Sequence, residues 1–193
     1  IMPFPDSDNE IKDYQIIFAT ALGKVRKNSL EDFSSINSSG KIAMKLDNND
    51  KIVGVKICKD DQDVILNTRF GKCIRFESKK LRVFKGRSSK GIKGIELAPN
   101  DQIVSLSIIS SDKIKPNGKK SKIDKSELIA TEKFILSISE NGFGKKTSHF
   151  DYRVTNRGGK GIIGIVNSPR NGNITSSFPV FEGDEILIST NKG

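Results

Sequence analysis

Short apolar runs recur along this chain between Gly, Asn and Asp residues, and hardly any stretch sustains a 3.6-residue period. That pattern predicts many strands and few helices. The runs are also self-similar. Ile16-Ile17-Phe18-Ala19-Thr20 precedes Gly23, Val64-Ile65-Leu66-Asn67-Thr68 precedes Gly71, Phe134-Ile135-Leu136-Ser137-Ile138-Ser139 precedes Gly142, and Glu185-Ile186-Leu187-Ile188-Ser189-Thr190 precedes Gly193. Each unit reads as a strand ending in Thr or Ser, two further residues, then a turn glycine. Four residues after the first three glycines stands a cation, Lys27, Arg75 and Lys146, on the predicted returning strand of a hairpin.

A second half-repeat follows each hairpin. Gly40-Lys41-Ile42-Ala43-Met44-Lys45-Leu46 aligns with Gly91-Ile92-Lys93-Gly94-Ile95-Glu96-Leu97, and Asp50-Lys51-Ile52-Val53 with Asp101-Gln102-Ile103-Val104. A third copy runs from Gly161 to Val166, with Gly172-Asn173-Ile174 downstream. The marker glycines lie 48, 71 and 51 residues apart, so the middle interval carries an excess of about 20 residues. The Lys- and Ser-rich residues 110–133 supply it and read as a solvated, mobile loop with a brief helix near 127–132.

Repeats of this length with about four strands each predict an all-β array of propeller-like blades, with a β-sandwich or solenoid as alternatives. The expected division is the end of a preceding blade over 1–15, blades over 16–63, 64–109 and 134–184, the insert 110–133, and the start of a truncated blade over 185–193. Three full blades with partial ones at both ends suggest an excised piece.

Charge narrows the function. Of 193 residues, 33 are Lys or Arg and 23 Asp or Glu, a formal net charge of +10, and the pI is near 9.6. Residues 111–133 contribute +3 of this, so most of the basic character belongs to the repeats. Such a balance points to nucleic acid, ahead of acidic proteins or lipid headgroups. No apolar run approaches the roughly 20 residues that span a bilayer, so no membrane partner is expected. Cys58 and Cys73 form no C-x-x-C and read as buried free thiols.

Catalytic chemistry has little support. The single histidine, His149, removes most His-based triads and two-His metal sites, leaving no catalytic residue and no metal site to propose. A phosphate-binding G-x-x-x-x-G-K-[ST] loop is absent. Gly159, Gly161 and Gly164 spell G-x-G-x-x-G with Asp184 twenty residues beyond, but the β-branched Ile162, Ile163, Ile165 and Val166 predict a strand where a dinucleotide site needs a helix.

Several segments then acquire a common meaning. Ile17-Phe18-Ala19-Thr20 with Gly23-Lys24-Val25-Arg26-Lys27, residues 40–46, Cys73-Ile74-Arg75-Phe76, Arg82-Val83-Phe84-Lys85-Gly86-Arg87, Glu140 through Thr147, and Tyr152-Arg153-Val154 through Gly161 resemble the C-terminal domain of the DNA gyrase A subunit. The resemblance covers nearly all of the chain outside the insert. It implies a β-pinwheel, six-bladed in the family, whose blades exchange strands and whose basic rim wraps duplex DNA. The family's diagnostic Gln-Arg-Arg-Gly-Gly-Lys-Gly box belongs to its first blade. Arg157-Gly158-Gly159-Lys160-Gly161 resembles a degenerate copy in a later one, so the first blade is expected to be missing here. Neither Tyr14 nor Tyr152 has the Ala-Ala-Met-Arg-Tyr context of the breakage-reunion tyrosine, so no catalysis is expected from these residues. By resemblance the parent is a cytoplasmic, nucleoid-associated type II topoisomerase, with ATP and Mg2+ in other parts of an assembly of two A and two B subunits. ParC-type topoisomerase IV subunits share the pinwheel and are the near rival; a propeller-like protein scaffold is the other alternative.

For a DNA-wrapping surface the expected contacts are Lys27, Arg75 and Lys146, with Arg26 and Lys145 preceding two of them, then Arg82, Arg87, Lys90, Arg157 and Lys160. The same cations can instead lie over blade edges and guard them against pairing. The glycines at 158, 159 and 161 suit either a close approach to phosphate or a tight turn between blades.

Overall fold

Thr20, Thr68 and Ser139 end their strands one turn before Gly23, Gly71 and Gly142, and each glycine N–H donates to that residue's carbonyl at 3.0–3.1 Å. The glycines have φ of +87°, +82° and +81°, a left-handed conformation that closes the turn without a Cβ clash. The threonine hydroxyls add a second bond, accepting from Lys24 N at 3.3 Å and Lys72 N at 3.1 Å. Local chemistry therefore suffices to make three hairpins. In the computed structural model, which describes residues 5, 11–35, 38–111 and 132–189, these are β1 (Gln15–Thr20) with β2 (Lys24–Ser29), β4 (Gln62–Thr68) with β5 (Lys72–Glu77), and β9 (Phe134–Ser139) with β10 (Gly144–Ser148). A third antiparallel strand joins each on the other side: β3 (Ile52–Cys58), β8 (Ile103–Ser110) and β12 (Ile174–Val180).

The remaining short strands leave their own repeat. β6 (Val83–Phe84) runs parallel to β2, pairing Val83 with Lys27, and β7 (Ile92–Lys93) pairs antiparallel with β2. β11 (Ile162–Ile163) pairs with β5, while Val154 bridges Arg75 in parallel as Val83 bridges Lys27. The second repeat thus completes the first sheet and the third completes the second. Blade-to-blade strand exchange, implied by the family resemblance, is what the topology contains.

Glycine makes these junctions possible. Gly94 N donates to Gly23 O at 2.8 Å, and Gly164 N to Gly71 O at 2.9 Å. A Cβ on Gly91 would lie 2.5 Å from Val25 O, and one on Gly161 2.4 Å from Cys73 O. The G-x-G-x-x-G string at 159–164 is therefore a strand docking on a neighbouring hairpin, in keeping with its β-branched residues.

Two apolar layers lie between the sheets. Ile17, Val25, Leu66, Phe76 and Leu106 belong to the layer between the first two, and Ile65, Cys73, Ile109, Ile135 and Tyr152 to the one between the second and third. A third layer of Ile16, Phe18, Leu30, Phe33 and Met44 covers the other face of β1. Residues 184–189, where a fourth hairpin is expected to begin, join no sheet among the described residues, and Leu187 is 96% exposed. The expected loop and helix at 110–133 lie almost wholly outside the described residues.

Candidate nucleic-acid interface

The register of β2 decides the fate of its cations. With β1 on one edge, β6 and β7 on the other, and apolar layers around it, the residues at positions 26–28 are buried. Arg26 is fully buried: Nε donates to Asn28 Oδ1 at 2.8 Å, Nη1 to Ser89 O at 2.5 Å and Oγ at 2.8 Å, and Nη2 to Gly86 O, while Phe84 lies 4.4 Å from its guanidinium carbon. Burial, then the neighbouring Arg82, holds its pKa below the ordinary value. Lys27 is 1% exposed and donates to Asp60 Oδ1 at 2.7 Å and Ser78 O at 3.0 Å. Arg75 donates from Nε to the buried Asp63 carboxylate at 2.8 Å and from Nη1 to His149 O at 2.8 Å.

These placements replace the expected rim position of Arg26, Lys27 and Arg75 with an interior one. Each reaches into the repeat that follows: Lys27 holds the 3-10 turn Ser78–Lys80, and Arg75 the turn His149–Asp151. One sequence signal pointed to this. A carboxylate such as Asp63, adjoining the apolar Val64-Ile65-Leu66, needs a buried cation beside it. His149 itself is 1% exposed, with Nδ1 near Lys133 N (3.0 Å) and O (2.9 Å), a structural position.

The third hairpin differs. Lys146 is exposed, 2.9 Å from the largely exposed Glu182 and 4.5 Å from the Phe134 ring. Lys145 is likewise exposed, with Nζ 3.3 Å from Gly164 O.

Other cations line the loops that feed the exchanged strands. Arg82 is exposed, stacked 4.3 Å over Phe84. Arg87 is half-buried and donates to Ile42 O at 3.0 Å, and Lys90 pairs with Asp47, whose carboxyl is held below its usual range by hydrogen bonds from Lys24 and Lys90. In the next repeat Arg157 donates to Lys93 O at 3.1 Å, and Arg157 and Lys160 are both exposed. The sequence reading passed over Lys85 and Arg153, exposed members of the same two loops. Counting back from the aligned pairs Arg87 with Arg157 and Lys90 with Lys160 locates those loops. Gly158 N donates to Gly94 O at 2.6 Å and Glu96 N to Gly159 O at 2.9 Å, so this loop docks on the preceding exchanged strand while its cations face outward.

The DNA gyrase C-terminal domain, beta-propeller family matches residues 14–59, 62–110 and 133–180, one segment per repeat. The chain belongs to this family. The DNA gyrase A subunit of Rickettsia bellii is 36% identical over the whole chain, that of Rickettsia conorii 38%, and that of Staphylococcus epidermidis 34% over 96% of it. The chain spans about a quarter of the length of the first two relatives. Among solved structures, a topoisomerase IV C-terminal domain aligns with a TM-score of 0.74 and a gyrase A C-terminal domain with 0.70; each alignment has 21% identity and covers 94% of this chain, with 50% and 57% of the respective partner. At that identity both establish the fold alone. The whole-chain matches to gyrase A subunits place this gyrase-family domain with gyrase, and the ParC-type reading is not better supported.

Proposed function

We propose that this domain binds and wraps duplex DNA without sequence preference, as the C-terminal part of a gyrase A subunit, and presents it to the ATP-dependent supercoiling enzyme formed with gyrase B subunits in the cytoplasm. The strand-passing chemistry, ATP and Mg2+ belong to other parts of that assembly. The observation that carries this reading is the set of exposed cations Arg82, Lys85 and Lys90, with the half-buried Arg87, in one loop and Arg153, Arg157 and Lys160 in the next. Arg87 and Arg157 are oriented by backbone carbonyls and Arg82 by an aromatic face, contacts that leave the positive charge uncancelled, whereas Lys90 pairs with Asp47. Short recognition helices are not needed for such a surface, because backbone phosphates carry no sequence information.

Fluorescence anisotropy with duplexes of unrelated sequence tests it. With roughly six phosphate contacts, log affinity falls against log salt with a slope of about −5. Salt-independent binding, or binding to one sequence only, overturns the reading and leaves a protein-interaction scaffold.

A further inference from the structure

The two box-like loops dock on the preceding repeat by matching bonds. Arg87 donates to Ile42 O at 3.0 Å as Arg157 donates to Lys93 O at 3.1 Å, and Lys45 N donates to Ser89 O at 3.2 Å as Glu96 N donates to Gly159 O at 2.9 Å. The frames agree, but the side chains on them do not. Ile92 and Glu96 stand at the second junction where Lys41 and Lys45 stand at the first. The first junction encloses an open cleft of about 670 Å3 lined by Gly40, Lys41, Ile42, Lys45, Arg87 and Ser88, three cations and no acid.

Two of those cations are held without being neutralised. Lys41 Nζ donates to the backbone carbonyls of Asp32 at 2.6 Å and Ser35 at 2.7 Å, which leaves a third ammonium proton, and Arg87 uses one guanidinium nitrogen on Ile42 O. Arg26 fixes the wall from beneath: its guanidinium draws the carbonyls of Gly86 and Ser89 inward, so the loop backbone is anchored on both sides of Arg87 and Ser88. An anchored guanidinium fork beside two ammonium groups suits a phosphate group, which accepts several charge-assisted bonds at once.

We propose that this cleft is a phosphate seat, specific to the first junction. Its natural phosphate is that of the DNA backbone, a source that rests on the function proposed above. Arg26 is a positioning residue for the seat and touches no ligand.

The second junction supplies the test. Lys41→Ile with Lys45→Glu gives the first junction the residues that the same frame already carries at the second. Lys45→Glu alone spares the Lys41 bonds and serves as the second variant, and the melting temperature of each checks the fold. Duplex binding is measured against salt, and inorganic pyrophosphate is titrated while the backbone amide NMR signals of residues 40–45 and 88 are followed. The expected result is DNA affinity about tenfold lower in the double variant, a salt slope reduced by about two, and saturable pyrophosphate shifts in the parent that vanish in the variant. DNA binding unchanged by the substitutions overturns the seat and leaves the general DNA reading standing. Should the parent not bind DNA at all, that reading falls; pyrophosphate shifts at 40–45 and 88 that vanish in the variant then retain the seat for a free phosphate compound, and their absence removes it.

Discussion

Lys27 and Lys146 occupy the same place in hairpins of the same design, four residues beyond a left-handed turn glycine, yet the side chain of one is 2% exposed and that of the other 48%. The difference is not in the hairpins. β2 is covered by β6, β7 and the turn at Ser78–Lys80 of the following repeat, whereas β10 is an edge strand among the described residues. The burial patterns agree: β4 is buried along nearly its whole length, while β9 alternates, with every second residue half-open. In a strand-exchanged array, a cation's environment is decided by the repeat that comes next. The repeated basic residue thus serves as a pin between blades wherever a neighbour covers it, and as a surface charge where none does.

The comparison breaks most visibly at Arg75. Replacing it with Met strands the fully buried Asp63 carboxylate, and urea unfolding should register a loss of about 3–5 kcal/mol. Lys146→Ala, by contrast, should stay within about 0.5 kcal/mol of the parent. Equal losses at the two sites would refute the pin.

The turn glycines sharpen the contrast at slightly lower cost. Gly71→Ala and Gly142→Ala both place a side chain at φ near +80°, worth about 1–2 kcal/mol. Only at Gly71 would the new Cβ also lie 2.1 Å from Ile165 O of the exchanged segment; nothing lies within 4 Å at Gly142. Thermal denaturation should therefore show Gly71→Ala losing about twice as much or more.

Lys27→Met comes next. It leaves Ser78 O without this donor, but Asp60 is 62% exposed and rehydrates, so about 1–2 kcal/mol is expected, less than at Arg75. Finding Lys27→Met as damaging as Arg75→Met would mean that the partner carboxylate's burial is not what matters.

The mildest handle near neutrality is pH. Burial pushes the Cys73 thiol up to about 12 from 9.0, and the Tyr152 hydroxyl, again mainly by burial, to about 12 from 10.0. Both sit in the layer between the second and third sheets. Their folded-state values are raised, so their contribution to stability is complete below pH 9 and declines from there toward pH 12, as the unfolded groups ionise first. Denaturation followed from pH 8 to 11 should show that decline, and Cys73→Ala should flatten its early part.

How much of this was legible depended on range. The hairpins follow from contacts within a few residues: Thr20, Thr68 and Ser139 one turn before a glycine at φ near +80°. The outward placement of Arg82, Arg157 and Lys160 was legible for a similar reason, since they lie in polar loops that lead into the docking glycines. Cys58 and Cys73 were readable as buried free thiols from the apolar runs around them.

What no periodicity revealed is where Val83–Phe84, Ile92–Lys93 and Ile162–Ile163 go. Strands of two residues carry no register signal of their own, and their destination is set by hydrogen bonds to hairpins some 50–90 residues earlier in the chain. That destination in turn decided the candidate site. Charge at position 27 or 75 is written in the sequence, but whether it faces a phosphate or a partner inside the fold depends on which backbone lies across the strand edge. The sequence by itself determined the repeat, the turns, the basic balance and the carboxylate at Asp63 that demands a partner. Only the tertiary structure decided that Arg26, Lys27 and Arg75 turn inward, because desolvation is a property of everything packed around a side chain and not of its neighbours along the chain.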